Sequence, residues 1–84
     1  MMDNILGVPT EQILALPSVS LVGDRKAEIC NYKGLITVSQ ECVCVSTQAG
    51  DLAVEGSRLE VTEIARDFIT VRGVIRRIYY KEKR

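Results

Sequence analysis

Cys42 and Cys44 flank Val43, and Cys30 lies upstream of them. On a strand, positions two apart point to one face, so the Cys42 and Cys44 thiols would be neighbours. With Cys30 they would offer three thiolates to a soft metal. Zinc sites, however, show paired CxxC or Cys/His spacing near turns, and this chain has neither. Small apolar packing explains the same cysteines, with Val43 and Val45 facing the other way. An odd count also argues against a disulfide framework. The expectation is no metal site and no cofactor.

The chain has no histidine. That removes the commonest general base and a frequent metal ligand. Its glycines form neither GxGxxG nor GxxxxGK[ST], so no nucleotide motif is present. Glu55, Glu60 and Glu63 fall at turn or alternate-strand positions, where exposed faces need charge for solubility. No catalytic residue and no small-molecule substrate are expected.

The C-terminal end mixes basic and aromatic residues. Arg72, Arg76, Arg77, Tyr79, Tyr80 and Lys81 form the candidate interface, because arginine and tyrosine recur in binding hot spots. The same residues can contact phosphates and stack on bases, so nucleic-acid or anionic-membrane binding is the alternative. From Arg72 to Arg84 the chain carries six basic residues and one acid, a net of +5. The preceding residues hold five basic and ten acidic side chains, a net of −5. This acidic body would repel nucleic acid. The polarity suits contact with an acidic surface or with another copy.

Elements must position these groups in a chain of only 84 residues. A single domain of this size buries only about 60% of its unfolded surface. Apolar residues make up 46%, with four aromatics and no tryptophan, so the core must be aliphatic. Residues 1–8 read as a loose terminus. Residues 9–16 read as one short helix, opened by Pro9 and ended by Pro17. From 18 to 80 the period is two: Val19–Val22, Ala27–Cys30, Ile36–Val38, Val43–Val45, Leu52–Val54, Leu59–Val61, Ile69–Val71 and Ile78–Tyr80. Gly, Asn and Asp separate these runs, which predicts seven or eight short strands. Residues 81–84 read as a basic tail.

The pattern also repeats. Val19, Ile36, Leu52 and Ile69 begin four units spaced 17, 16 and 17 residues apart, and Gly23, Gln40, Gly56 and Gly73 take the turn position. Two architectures fit. Each unit can be an antiparallel hairpin in a small all-β sandwich or meander, with Gly56 and Gly73 supplying tight turns. Each can instead be one coil of a short β-solenoid. The hairpin sandwich is preferred, because four uncapped coils would leave open ends. No basic n-region or long apolar run begins the chain, so a cytoplasmic protein is expected.

The run from Leu14-Ala15-Leu16-Pro17 through Ser20-Leu21-Val22-Gly23 to Gly34-Leu35-Ile36 is followed by an LxVxGxxLxV segment, Leu52–Val61. An IxVxGxI segment then opens the stretch Ile69–Tyr80. Over residues 13–80 this pattern resembles the YabP/YqfC family of sporulation proteins, and the leucine–proline segment resembles its YqfC branch. The resemblance implies a role in endospore formation, in the mother cell, in spore envelope or cortex development. YqfC-type genes lie beside one for a membrane protein. The implied role is an assembly or adaptor module with a membrane-associated sporulation partner, self-association, or both. Such a partner would recruit it to the forespore-facing membrane. The family offers no catalytic motif to transfer.

Overall fold

In a computed structural model that describes residues 16–81, every regular element is a strand. The elements are β1 (Ser18–Val22), β2 (Lys26–Cys30), β3 (Tyr32–Val38), β4 (Cys42–Thr47), β5 (Gly50–Ile64) and β6 (Phe68–Lys81). They form one six-stranded antiparallel sheet in the order β1-β2-β6-β5-β4-β3. The expected helix at 9–16 lies outside the described residues, save Leu16. Lys81, expected in a tail, ends β6.

The all-β expectation holds, but the sandwich of repeated hairpins does not, and neither does the solenoid. Hydrogen bonding runs unbroken through a single sheet. The reason lies in the repeat. Its first two units are hairpins, β1–β2 and β3–β4. Its last two do not turn. Leu52–Val54 and Leu59–Val61 belong to one 15-residue strand, and Ile69–Val71 and Ile78–Tyr80 to one of 14. These two long strands pair with each other, so six strands replace the expected seven or eight.

Gly56 and Gly73, expected at turns, sit instead where β5 and β6 pass closest. A Cβ on Gly56 would lie 1.9 Å from the Val74 carbonyl oxygen, and one on Gly73 would lie 2.6 Å from that of Arg58. Arg58 (φ 56°) and Gly73 (φ 142°) mark a bulge where the register shifts between Ser57 and Glu60. Units one and two carry turn chemistry after the repeat's second apolar residue: Gly23 at φ 54°, and Ser39, whose hydroxyl accepts from the Cys42 amide at 3.0 Å. After Gly73 come Val74 and Ile75, which favour extension.

The repeat is visible as an approximate two-fold relation. The β1–β2 turn accepts hydrogen bonds at Arg25 and Asp24 from the Gly73 and Ile75 amides. The β3–β4 turn does the same at Glu41 and Gln40 for the Gly56 and Leu59 amides. Each hairpin thus extends one half of the long β5–β6 pair. β2 pairs with Phe68–Arg72, and β4 pairs with Gly50–Glu55.

The sheet cannot be flat. In a flat sheet β2 and β3 would be four strand spacings apart, about 19 Å. A single residue, Asn31, joins them, and two Cα steps span at most about 7.6 Å. Asn31 adopts φ 63°, and its amide donates to the Asp67 carbonyl at 2.7 Å. Tyr32 opens β3, and its hydroxyl donates to the Ala65 carbonyl at 2.8 Å. The sheet therefore coils on itself. Ala27, Ile29, Val43, Val45, Leu52, Val54, Leu59, Ile69, Val71 and Ile75 fill the inside, an aliphatic core drawn from both halves.

Candidate functional site

The candidate interface lies on the far half of β6. β5 covers one backbone edge of this segment, pairing Arg77 with Glu55 and Lys81 with Asp51. β2 covers the other edge only as far as Arg72, and the β1–β2 turn reaches Ile75. From Arg76 to Lys81, no strand lies beside that second edge among the described residues. Arg76 is an extra residue, because Gly56 faces Ile75 while Glu55 faces Arg77. Its exposed guanidinium makes no ion pair among the described residues and lines two surface clefts. One, of about 460 Å³, includes Glu41, Cys42 and Glu55. The other, of about 310 Å³, includes Leu21, Asp24 and Ile78.

Alternation divides the six candidate residues. Arg77 and Tyr79 share the outer face with Glu55. The Tyr79 hydroxyl donates to Glu55 Oε2 at 2.6 Å. Arg77 Nε stands 3.7 Å from Glu55 Oε1, and its guanidinium carbon lies 4.5 Å from the centre of the Tyr79 ring. Tyr80 points the other way and is 46% exposed at the rim of the core face. Arg72 lies beyond the Gly73 bulge, opposite Glu60 and Lys26. Arg76, Arg77, Tyr79 and Lys81 are thus near one another, while Arg72 and Tyr80 are not part of the same surface.

Glu55 is the residue that the sequence pattern does not single out. It orders both Arg77 and Tyr79, but its place opposite Arg77 depends on β5 and β6 being continuous. Asp51 opposite Lys81, Glu55 opposite Arg77 and Glu60 opposite Arg72 also change the electrostatics. The basic strand lies alongside an acidic one, so the charge separation read along the chain is largely cancelled across the ladder. An exposed pair such as Arg77–Glu55 contributes little stability, and its use is to hold the guanidinium over the ring.

The hydrogen bond to Glu55 is the main cause of a raised Tyr79 phenol pKa; burial and the negative carboxylate act in the same direction. The folded chain therefore holds this proton more tightly than the unfolded chain. The resulting stabilisation is complete below about pH 10, the ordinary phenol value, and is lost as pH rises through the raised value. The wild type should lose its advantage over Tyr79→Phe on going from neutral pH to above pH 10, as read by urea midpoints. A gap independent of pH would show that the phenol proton is not shared with Glu55.

Two of the three cysteines are neighbours, as their spacing predicts, and Cys30 lies on another strand. Cys42 and Cys44 share one face of β4, opposite Glu55 and Ala53, while Val43 and Val45 enter the core. Cys44 is buried, and burial pushes its thiol upward. Cys30 ends β2, paired with Ser18 and Phe68. No cluster of three His, Cys, Asp or Glu suited to a metal ion occurs among the described residues. Among them, too, no helix is long and apolar enough to cross a membrane.

Comparison with known proteins gives no match to a curated sequence and none to a solved structure. A family model does match, over residues 15–84, which takes in every strand described above. On that match the chain belongs to the YabP family.

Proposed function

We propose that this chain is a non-enzymatic assembly or adaptor module of spore development, and that the Arg76–Lys81 segment of β6 takes a strand or loop of a protein partner. Family membership supports the sporulation-related role. The observation that carries the docking reading is the backbone edge of Arg76–Lys81, which has no neighbouring strand among the described residues and is flanked by the Arg77–Tyr79–Glu55 group. An open edge supplies main-chain hydrogen bonds, and neighbouring side chains supply selectivity. Within the family, the Leu14-Ala15-Leu16-Pro17 segment favours the YqfC branch. This reading makes the partner a membrane-associated sporulation protein, recruiting the chain from the cytoplasm of the mother cell.

The acids facing Arg72, Arg77 and Lys81 support a protein partner over nucleic acid or an anionic membrane. Polyanion binding through phosphate contacts would fall steeply with salt. A variant with Arg76, Arg77 and Tyr79 made small and neutral, leaving Tyr80 at the core rim in place, should keep the wild-type circular dichroism spectrum. It should also lose at least about tenfold in partner affinity, as the loss of a hot spot does. Equal capture of the partner by folded variant and wild type would remove this segment as the docking edge. Tight, salt-sensitive binding to DNA or acidic vesicles would replace the proposal with the polyanion reading.

A further inference from the structure

Four stretches of backbone edge lack a neighbouring strand among the described residues: β1, β3, Glu60–Ile64 of β5 and Arg76–Lys81 of β6. An unpaired edge is a template for another chain, and native sheets guard such edges with charge, bulges or proline. Three of these four are guarded. β3 has two register shifts, at Lys33 and Ile36, and the charge of Lys33. Glu60–Ile64 has two carboxylates and a shift at Thr62. Arg76–Lys81 begins with the extra residue Arg76 and carries two further cations, a guard against a second copy that leaves the edge open to a partner offering acids.

β1 differs. Ser18-Val19-Ser20-Leu21-Val22 has no charged residue, and it pairs with β2 through five consecutive positions without a shift. Its one nearby proline, Pro17, precedes the strand. Leu21 and Val22 are 54% and 62% exposed. The nearest charges are Glu28 and Lys26, which face Ser20 and Val22 from β2, and the Asp24–Arg25 pair, 3.5 Å apart in the adjoining turn. Two copies can therefore meet at this edge with no charge on either facing strand, and the Glu28 carboxylates stay one strand back on each side.

We propose that β1 is a self-association edge, on which the β1 strand of a second copy pairs antiparallel about Ser20. The pattern of the strand suits its own image. A two-fold axis at Ser20 sets Ser20 against Ser20, Val19 against Leu21, and Ser18 against Val22. Val19 and Leu21 lie on the core side, opposite Ile29 and Ala27, and Val19 already packs on the core. The pairing thus carries the apolar face of one sheet onto the next, with facing serines at the axis. A five-residue edge falls short of the roughly 1,200 Å² of a standard interface, so the dimer is weak and depends on concentration. This inference does not use the β6 docking edge and stands without it.

Facing residues of an antiparallel pair have Cα atoms about 4.5–5.5 Å apart, within disulfide range. Under mild oxidation, Ser20→Cys in the full chain should give a disulfide-linked dimer. Ser18→Cys, which faces valine, should give no more than the wild type with its native cysteines. In sedimentation from micromolar to millimolar concentration, the wild type should shift from monomer to dimer. Ser20→Lys sets two ammonium groups face to face and should weaken the dimer by up to about fivefold, while Thr37→Lys on β3 should leave it unchanged. Ser20 and Thr37 are exposed, so both variants should fold. A wild type that stays monomeric throughout would overturn the proposal. So would equal cross-linking at positions 18 and 20, or equal loss of dimer in the two lysine variants.

Discussion

Gly56→Ala should destabilise the chain by about 4 kcal/mol, near the upper end of single-substitution effects. The added methyl would meet backbone: a Cβ would lie 1.9 Å from the Val74 carbonyl oxygen and 2.9 Å from its carbon. No side-chain rotation relieves that contact, so β5 and β6 must part where both halves of the sheet are joined. A domain of this size has about 4–12 kcal/mol of stability in all, so the variant should lose a third or more of it and unfold at a much lower urea concentration. Gly34→Ala is the control. Its Cβ would meet only Ser46 Oγ, at 3.6 Å, an ordinary contact. Its effect should stay within about 1 kcal/mol. Urea unfolding of both variants measures the difference. Equal stability would mean that β5 and β6 do not cross closely at Gly56.

Ile69→Ala should cost about 3–4 kcal/mol, the usual result of emptying a buried isoleucine site. Ile69 is fully buried, facing Ile29 on β2 and Ile64 on β5. Its direct neighbour gives the contrast: Ile64 is 59% exposed. Ile64→Ala should change stability by less than about 1 kcal/mol, because most of its surface stays in water either way. The pair separates a coiled sheet from an open one. If the sheet did not close over Ile69, both isoleucines would be similarly wet, and the two variants would lose similar amounts in denaturant melts.

The alternation from Val19 to Tyr80 made the strands legible, and the aliphatic core follows from the same residues. The spacing of 17, 16 and 17 residues is also real. It corresponds to two hairpins and two long strands in an approximate two-fold arrangement. What the sequence conceals is the behaviour of Gly56 and Gly73. A glycine between two alternating runs signals a turn and a close backbone crossing equally well, since both need the missing Cβ. The choice is made by distant partners, Val74 and Arg58. Once β5 runs through Gly56, Glu55 comes to face Arg77, so the group around Tyr79 was as hard to read as the crossing itself. The coil is set by something still smaller, the single residue Asn31 between β2 and β3. Read alone, Asn31 to Gly34 resembles an ordinary turn.

The same register explains why the basic C-terminal stretch is a weaker charge signal than it first reads. Arg72, Arg77 and Lys81 each face an acid across the ladder, leaving Arg76 as the cation without a described counterpart. Shape and a backbone edge without a neighbouring strand among the described residues, more than net charge, then support Arg76–Lys81 as the proposed docking surface.

Hydrogen exchange of the backbone amides, read on the free chain and on the complex recovered from sporulating cells, tests that surface most directly. If a partner strand adds to β6, amides within Arg76–Lys81 that exchange quickly in the free chain should become protected in the complex. The amides of β3 should be unchanged. Protection confined to β3, or no change anywhere on β6, would contradict the proposed docking edge.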